Sequence, residues 1–291
     1  MKERQKGTVY VLVCVALWAL IPVAAKLGQS RLDHHQFLFW SSLVSFLALS
    51  TAAWAGGQWR TLKTFRIKTF ISIGFLGLLG TYIYYLLLYL GYARTAGLEV
   101  LVVQYTWPLW VVLLSVLILG ERLNRRKLLA LTLGFIGVLL VLSKGKLDAL
   151  VVQNGSVILL VLTGAFCFAL FSVLSKRVQR EPLVVVSLYF LTATLAALIS
   201  MLLRSRFVLP SGSALVPILL NGILVNGFSY LFWQWALKAA PASFLAPFVY
   251  LTPVLSALYL ILFFNAPLSW AAASGLLLVV LGGWVNSRGQ A

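Results

Sequence analysis

Charge is scarce in this sequence. Asp, Glu, Lys and Arg together supply 10% of the 291 residues, against 62% hydrophobic, and the mean hydropathy is +0.99. A soluble domain of this length needs a charged exterior that the composition does not provide. Only six residues are acidic, and of these Glu99 alone falls inside an apolar run. A membrane-embedded enzyme would need a positioned acid/base or nucleophile pair, and no His or Asp lies near Glu99. The two cysteines, Cys14 and Cys167, sit inside apolar runs and read as small packing residues; a disulfide framework or zinc site needs more ligands. His34 and His35 are neighbours without further ligands, so no metal site is expected. No Walker loop, metalloprotease motif, nucleophile elbow or dinucleotide fingerprint occurs. That excludes transport powered by this chain's own ATP hydrolysis and gives no reason to expect a cofactor.

Apolar runs take up what remains. About 20 such residues make a helix that crosses a bilayer. Runs fall at roughly 8–28, 36–55, 69–90, 97–119, 127–143, 156–175, 183–203, 215–236, 242–264 and 268–286, with ends uncertain by about two to four residues. They predict an all-α membrane protein with ten transmembrane helices, short loops and no soluble domain. Lys2, Arg4 and Lys6 before the first run resemble a signal peptide, but the runs that follow make it a retained first span.

The net charge of +17 would suggest nucleic acid in a soluble protein. Here the cations cluster between spans, where they set topology instead. Sixteen Lys/Arg fall on the side of the two termini and seven on the other. By the positive-inside rule both termini are expected in the cytoplasm, with residues 144–155 outside.

The chain also repeats itself. A shift of 145 places Gly77 on Gly222, Tyr85 on Tyr230, Tyr105 on Tyr250, Pro108 on Pro253, Leu123 on Leu268 and Gly137 on Gly282. A shift of 150 places Trp18-Ala19-Leu20 on Phe168-Ala169-Leu170 and Lys26 on Lys176. Two halves, 1–149 and 150–291, are therefore expected. Each has five spans, an odd number, so the second is inverted relative to the first. Inverted repeats are a plan of secondary transporters.

Tyr105-Thr-Trp107-Pro108 and Tyr250-Leu-Thr252-Pro253 lie near the middle of the fourth and ninth spans. Proline there removes a backbone donor, and interrupted helices at matching positions point to a transport site; a packing kink would give the same pattern. Trp18, Tyr82, Tyr85, Tyr105, Trp107, Phe168, Tyr230 and Trp233 lie inside spans, away from the interfacial belts. Each alone fits packing; together they suggest rings around a substrate, since a buried hydroxyl or indole N–H needs a partner. Glu99 is a coupling candidate as an intramembrane carboxylate, although in the first turn of its helix it also complements the helix dipole. Glu121, at a cytoplasmic helix end, reads as a loop anchor.

In sequence order, Trp18-Ala19 with Lys26, Leu90-Gly91-Tyr92-Ala93, Pro108 followed by Leu119-Gly120-Glu121-Arg122, Thr252-Pro253-Val254-Leu255-Ser256, and Gly275 with Gly282 resemble the ten-span EamA-type branch of the drug/metabolite transporter superfamily. Glu99-Val100, Tyr105-x-Trp107-Pro108 and Thr252-Pro253-Val254-Leu255-Ser256 with Ala266-Pro267-Leu268-Ser269 are similar, within that branch, to the YddG-type aromatic amino acid exporters. The resemblance implies a transporter in a bacterial inner membrane that exports neutral, mainly aromatic, amino acids, with pocket roles for Tyr82, Tyr105 and Trp107. Phe168 stands where those exporters have a Trp, which loses an indole donor. The resulting expectation is a central cavity with Tyr82, Trp107, Phe168 and Trp18 around an apolar side chain, and Tyr105 and Tyr250 offering hydroxyls. Export of cationic drugs or other small metabolites is the alternative in the same class, since aromatic cages also suit cations. A membrane-embedded enzyme or scaffold is the alternative outside it.

Overall fold

The computed structural model describes residues 3–28, 32–94, 97–143, 145–146, 155–264 and 270–288. Among them every regular element is helical. Seven helices are long and apolar enough to cross a membrane, and two shorter apolar helices cover Ala242–Ser256 and Ala273–Asn286. The outer face is greasy, with Leu117 70% and Leu203 74% exposed. Such residues suit contact with lipid rather than water.

Several elements are unbroken rods: α3 (His34–Ala55), α8 (Arg125–Ser143), α9 (Gly155–Ser175), α10 (Pro182–Arg204) and α15 (Trp270–Arg288). Asp33 starts α3 with a capping box: its carboxylate accepts from the His35 and Gln36 amides, and Gln36 accepts from the Asp33 amide. This satisfies donors that a helix start would otherwise leave orphaned.

Others of the ten runs expected from the sequence are interrupted. The first divides into α1 (Glu3–Trp18) and α2 (Ile21–Gly28) at Ala19 and Leu20. The third is α4 (Ile67–Gly77), a π-helical turn over Leu78–Ile83, and α5 (Tyr84–Arg94). The fourth breaks between α6 (Gly97–Gln104) and α7 (Trp107–Leu119). The eighth is α11 (Gly212–Leu219), a π-helical stretch over Leu220–Phe228, and α12 (Ser229–Ala239). The ninth runs from the short α13 (Ala242–Leu245) through a 3-10 turn over Ala246–Tyr250 into α14 (Leu251–Phe264). Pro108 and Pro253 do not bend continuous helices. Each sits in the first turn of a new helix, where a missing N–H costs nothing. The break itself lies just upstream.

Packing is by close approach of small residues, as in membrane bundles. A Cβ on Gly77 would meet the Tyr189 carbonyl of α10 at 2.9 Å, and one on Gly222 would meet the Ser41 carbonyl of α3 at 2.8 Å. Gly137 of α8 and Gly275 of α15 likewise leave each other no room for a side chain. The π segments free backbone carbonyls, which side chains collect: Tyr230 donates to Gly80 O at 2.9 Å and Ser45 to Gly222 O at 2.8 Å. Cys14 is buried and Cys167 half-buried, and both are free thiols. Most of the expected outer segment 144–155 lies outside the described residues.

Candidate functional site: a closed aromatic chamber

The interruptions converge. Trp18 is the last residue of α1, Tyr84 and Tyr85 open α5 directly after the π turn, Tyr105 lies in the fourth-span break, and Trp107 opens α7. Phe168 projects from the middle of α9, and Tyr230 and Trp233 from α12. Trp18 is the hub, with ring centroids 5.9 Å from Trp107, 5.8 Å from Phe168, 6.1 Å from Tyr230 and 5.5 Å from Trp233. Trp107 and Phe168 meet edge-on at 4.8 Å, and Phe168 lies 4.7 Å from Tyr84. Edge-to-face pairs of this kind are favourable beyond their buried area by about 0.5–1.5 kcal/mol.

Between the rings is a cavity of about 20 Å³, bounded also by Ile21, Gln104, Val249 and Thr252. That is room for about one water, whereas small-molecule pockets run to about 300 Å³ or more. The chamber is therefore closed around its rings, which must part to admit a solute. No Lys, Arg, Asp or Glu lines it among the described residues.

Some polar groups here are already occupied. Gln104 donates to the Tyr84 hydroxyl at 2.8 Å and accepts from the Tyr92 hydroxyl at 3.3 Å. Trp233 donates to Ser172 Oγ at 3.1 Å. Two fully buried atoms of the lining, Trp18 Nε1 and Thr252 Oγ1, have no hydrogen-bond partner among the described residues. Orphaned buried polar atoms are uncommon, and where they line a cavity they mark a place for a polar ligand group or a water.

The structure brings Trp18, Tyr105, Trp107 and Phe168 together as expected at the cavity, and with them Tyr85 and Tyr230 of the wider aromatic set. Tyr82 lies elsewhere, in a groove with His34, His35, Arg94 and Arg204. Tyr250 is buried against Phe135 and Gly134 rather than on the chamber wall, its hydroxyl without a partner among the described residues. Pro108 and Pro253 stand immediately beside the chamber residues Trp107 and Thr252. Glu99 occupies the first turn of α6, and its side chain lies outside the described residues. Sequence reasoning did not single out Tyr84, Gln104, Ile21, Val249 or Thr252 as site residues. Gln104 directly precedes the first of the two matched motifs and Thr252 lies inside the second, and that placement is the signal that could have found them.

A set of polar bonds ties the segment after α7 and the turn after α9 to the residues around the start of α13. Glu121, just past α7, accepts from the Ala242 and Ser243 amides at 2.9 Å each, capping the start of α13. Lys127 Nζ donates to Ser243 Oγ and to Arg122 O, both at 2.8 Å. Lys176 Nζ donates to Leu237 O at 2.6 Å and Ala240 O at 2.5 Å. Burial pushes the Lys176 ammonium below its ordinary value, and the Glu121 charge opposes that. Gly7 of α1 leaves no room against Ala240, where an added Cβ would stand 2.8 Å from the alanine's own. Glu121 thus anchors not its own loop but a helix start 121 residues away.

Sequence comparison agrees with this architecture. The model of the EamA-like transporter family matches residues 5–143 and again 155–288. The aromatic amino acid exporter YddG of Ancylobacter novellus is 31% identical over 209 residues, 71% of either chain. The S-adenosylmethionine uptake transporter of Rickettsia prowazekii is 25% identical, covering 91% of this chain and 86% of that one. A crystal structure at 21% identity superposes with a TM-score of 0.83 over 97% of both chains, a likeness of fold. Matched along both stretches, this multi-pass helical membrane protein belongs to the EamA-like transporter family of the drug/metabolite transporter superfamily.

Proposed function

We propose that the chain exports neutral, chiefly aromatic, amino acids across a bacterial inner membrane, by alternating access of two inverted five-helix halves about the aromatic chamber. One observation carries the reading: uncharged rings, most of them from interrupted helices, surround a cavity in which the fully buried unpartnered polar atoms, Trp18 Nε1 and Thr252 Oγ1, are neutral. Aromatic walls suit an apolar ring. The ammonium and carboxylate of the substrate would be read by dipoles: the indole N–H of Trp18, the hydroxyl of Thr252 and the positive N-terminus of α7. The kinship with an aromatic amino acid exporter supports the same class. The uptake transporter among the relatives carries a cation. A carboxylate would favour such a cargo, and none lines this chamber among the described residues.

The two-half plan is supported by cross-packing. Gly77 in the third span meets α10, the seventh, and its repeat counterpart Gly222 in the eighth meets α3, the second. π turns recur at matching places, 78–83 and 220–228, and the family model matches twice. Ten spans place both termini on one side, and the sixteen-to-seven charge bias makes it the cytoplasm. Reporter fusions are expected to find residues 1 and 291 both inside; opposite sides would contradict the span count.

The site is tested by Trp107→Ala in liposomes, with flux normalised to folded protein. Loss of one ring partner should weaken phenylalanine transport several-fold, from about 0.5–1.5 kcal/mol, and alanine transport much less. Equal proportional losses would assign Trp107 to packing alone.

A further inference from the structure

A second cleft, of about 480 Å³, opens at the Glu121 end of the bundle, between the start of α4 and the turn that follows α9. Three cations line it, Lys68, Arg177 and Arg180, and no carboxylate does among the described residues. The arginines are held by neutral partners. Arg180 lies 5.4 Å over the Phe65 ring and donates to Thr64 Oγ1 at 3.4 Å, and Arg177 donates to the Ile118 carbonyl. Their charge is thus fixed in place without being neutralised. The adjacent acid, Glu181, does not line the cleft and forms no ion pair with either arginine among the described residues.

The cleft is graded along α4. Lys68 and Thr69 stand in the first turn, Ser72 one turn on, and Phe75 and Leu76 deeper still. Phe75 is 52% exposed and Ile71, on the same helix, 65%. The Arg66 side chain makes no capping bond to the helix start, so its first amides add a positive dipole to the cations. A cationic, donor-rich mouth above an apolar wall on a bilayer-spanning bundle matches one molecule in both parts: a phospholipid, head and tail.

We propose that this cleft binds an anionic phospholipid of the membrane. Its phosphate lies among Lys68, Arg177 and the amides opening α4, and an acyl chain runs along Phe75. A soluble anion would use the mouth but leave the apolar wall uncovered. The inference rests on the chain spanning a bilayer and not on which solute it carries.

The test uses the full purified chain in a neutral detergent, with binding read by native mass spectrometry. The probes are phosphatidylglycerol, phosphatidylcholine with the same acyl chains, glycerol 3-phosphate and inorganic phosphate. Phosphatidylglycerol is expected to bind at least about fivefold tighter than phosphatidylcholine, and Lys68→Gln to weaken it about fivefold, as for one surface cation against an anionic lipid. Lys63→Gln, exposed and outside the cleft, should leave it unchanged, and Lys68→Arg should retain it. Lys68 is itself exposed, so its loss leaves the fold intact, which circular dichroism checks. Equal binding of the two lipids, or equal losses in Lys68→Gln and Lys63→Gln, would overturn the site. Inorganic phosphate or glycerol 3-phosphate binding as tightly as the lipid would overturn the lipid as occupant.

Discussion

Trp18→Phe is expected to raise the apparent KM for phenylalanine by about tenfold or more while the protein folds and inserts normally. The phenyl ring keeps an aromatic surface against Trp107, Phe168 and Trp233. What is lost is the indole N–H, which has no partner among the described residues in the closed chamber. A hydrogen bond to a charged group contributes about 1.5–3 kcal/mol, so its loss on a substrate carboxylate costs about ten- to a hundredfold in affinity. Removing an orphaned buried donor offsets part of the packing lost with the smaller ring, so thermal stability should move little. A large fall in Tm with KM unchanged would mean that Trp18 serves the core alone.

Glu121→Ala is expected to shift the resting equilibrium toward a state open at the Glu121 end. The carboxylate makes two charge-assisted bonds to the start of α13, each of about 1.5–3 kcal/mol. Losing both removes enough to move a two-state population by a hundredfold or more. Spin labels at Leu123 and Ala239, on either side of the latch, should report a longer dominant distance in the variant. Cys14, buried in the closed form, should become easier to alkylate if the opening reaches the rings. An unchanged distance distribution would show that Lys127 and Lys176 hold this end closed without Glu121.

Hydropathy made the helical class and most span positions legible, because a bilayer imposes a length that apolar runs must meet. The breaks at 104–107 and before 251 were legible too, because proline marks a helix start as reliably as it disrupts a helix interior. The faces of the interrupted helices were not. A π turn inserts an extra residue into the helical period, and the one over Leu78–Ile83 lies just upstream of Tyr84. The chamber accordingly takes Tyr84 and Tyr85 and leaves Tyr82 in the groove beside His34 and Arg94. Tyr250 misled for a related reason. Its 3-10 turn swings it toward α8, and the same turn presents Val249, with Thr252 just beyond, to the chamber. Glu121 showed as an anchor in the sequence, but its partner could not be seen there, because the bond joins segments far apart in the chain.

Counterflow in liposomes containing the purified chain tests the central claim most directly. With unlabelled phenylalanine inside and a trace of labelled phenylalanine outside, the label should accumulate saturably and be competed by tyrosine and tryptophan, with arginine and glutamate without effect. Accumulation of cationic solutes with no exchange of phenylalanine would contradict an aromatic, uncharged chamber as a neutral amino acid site.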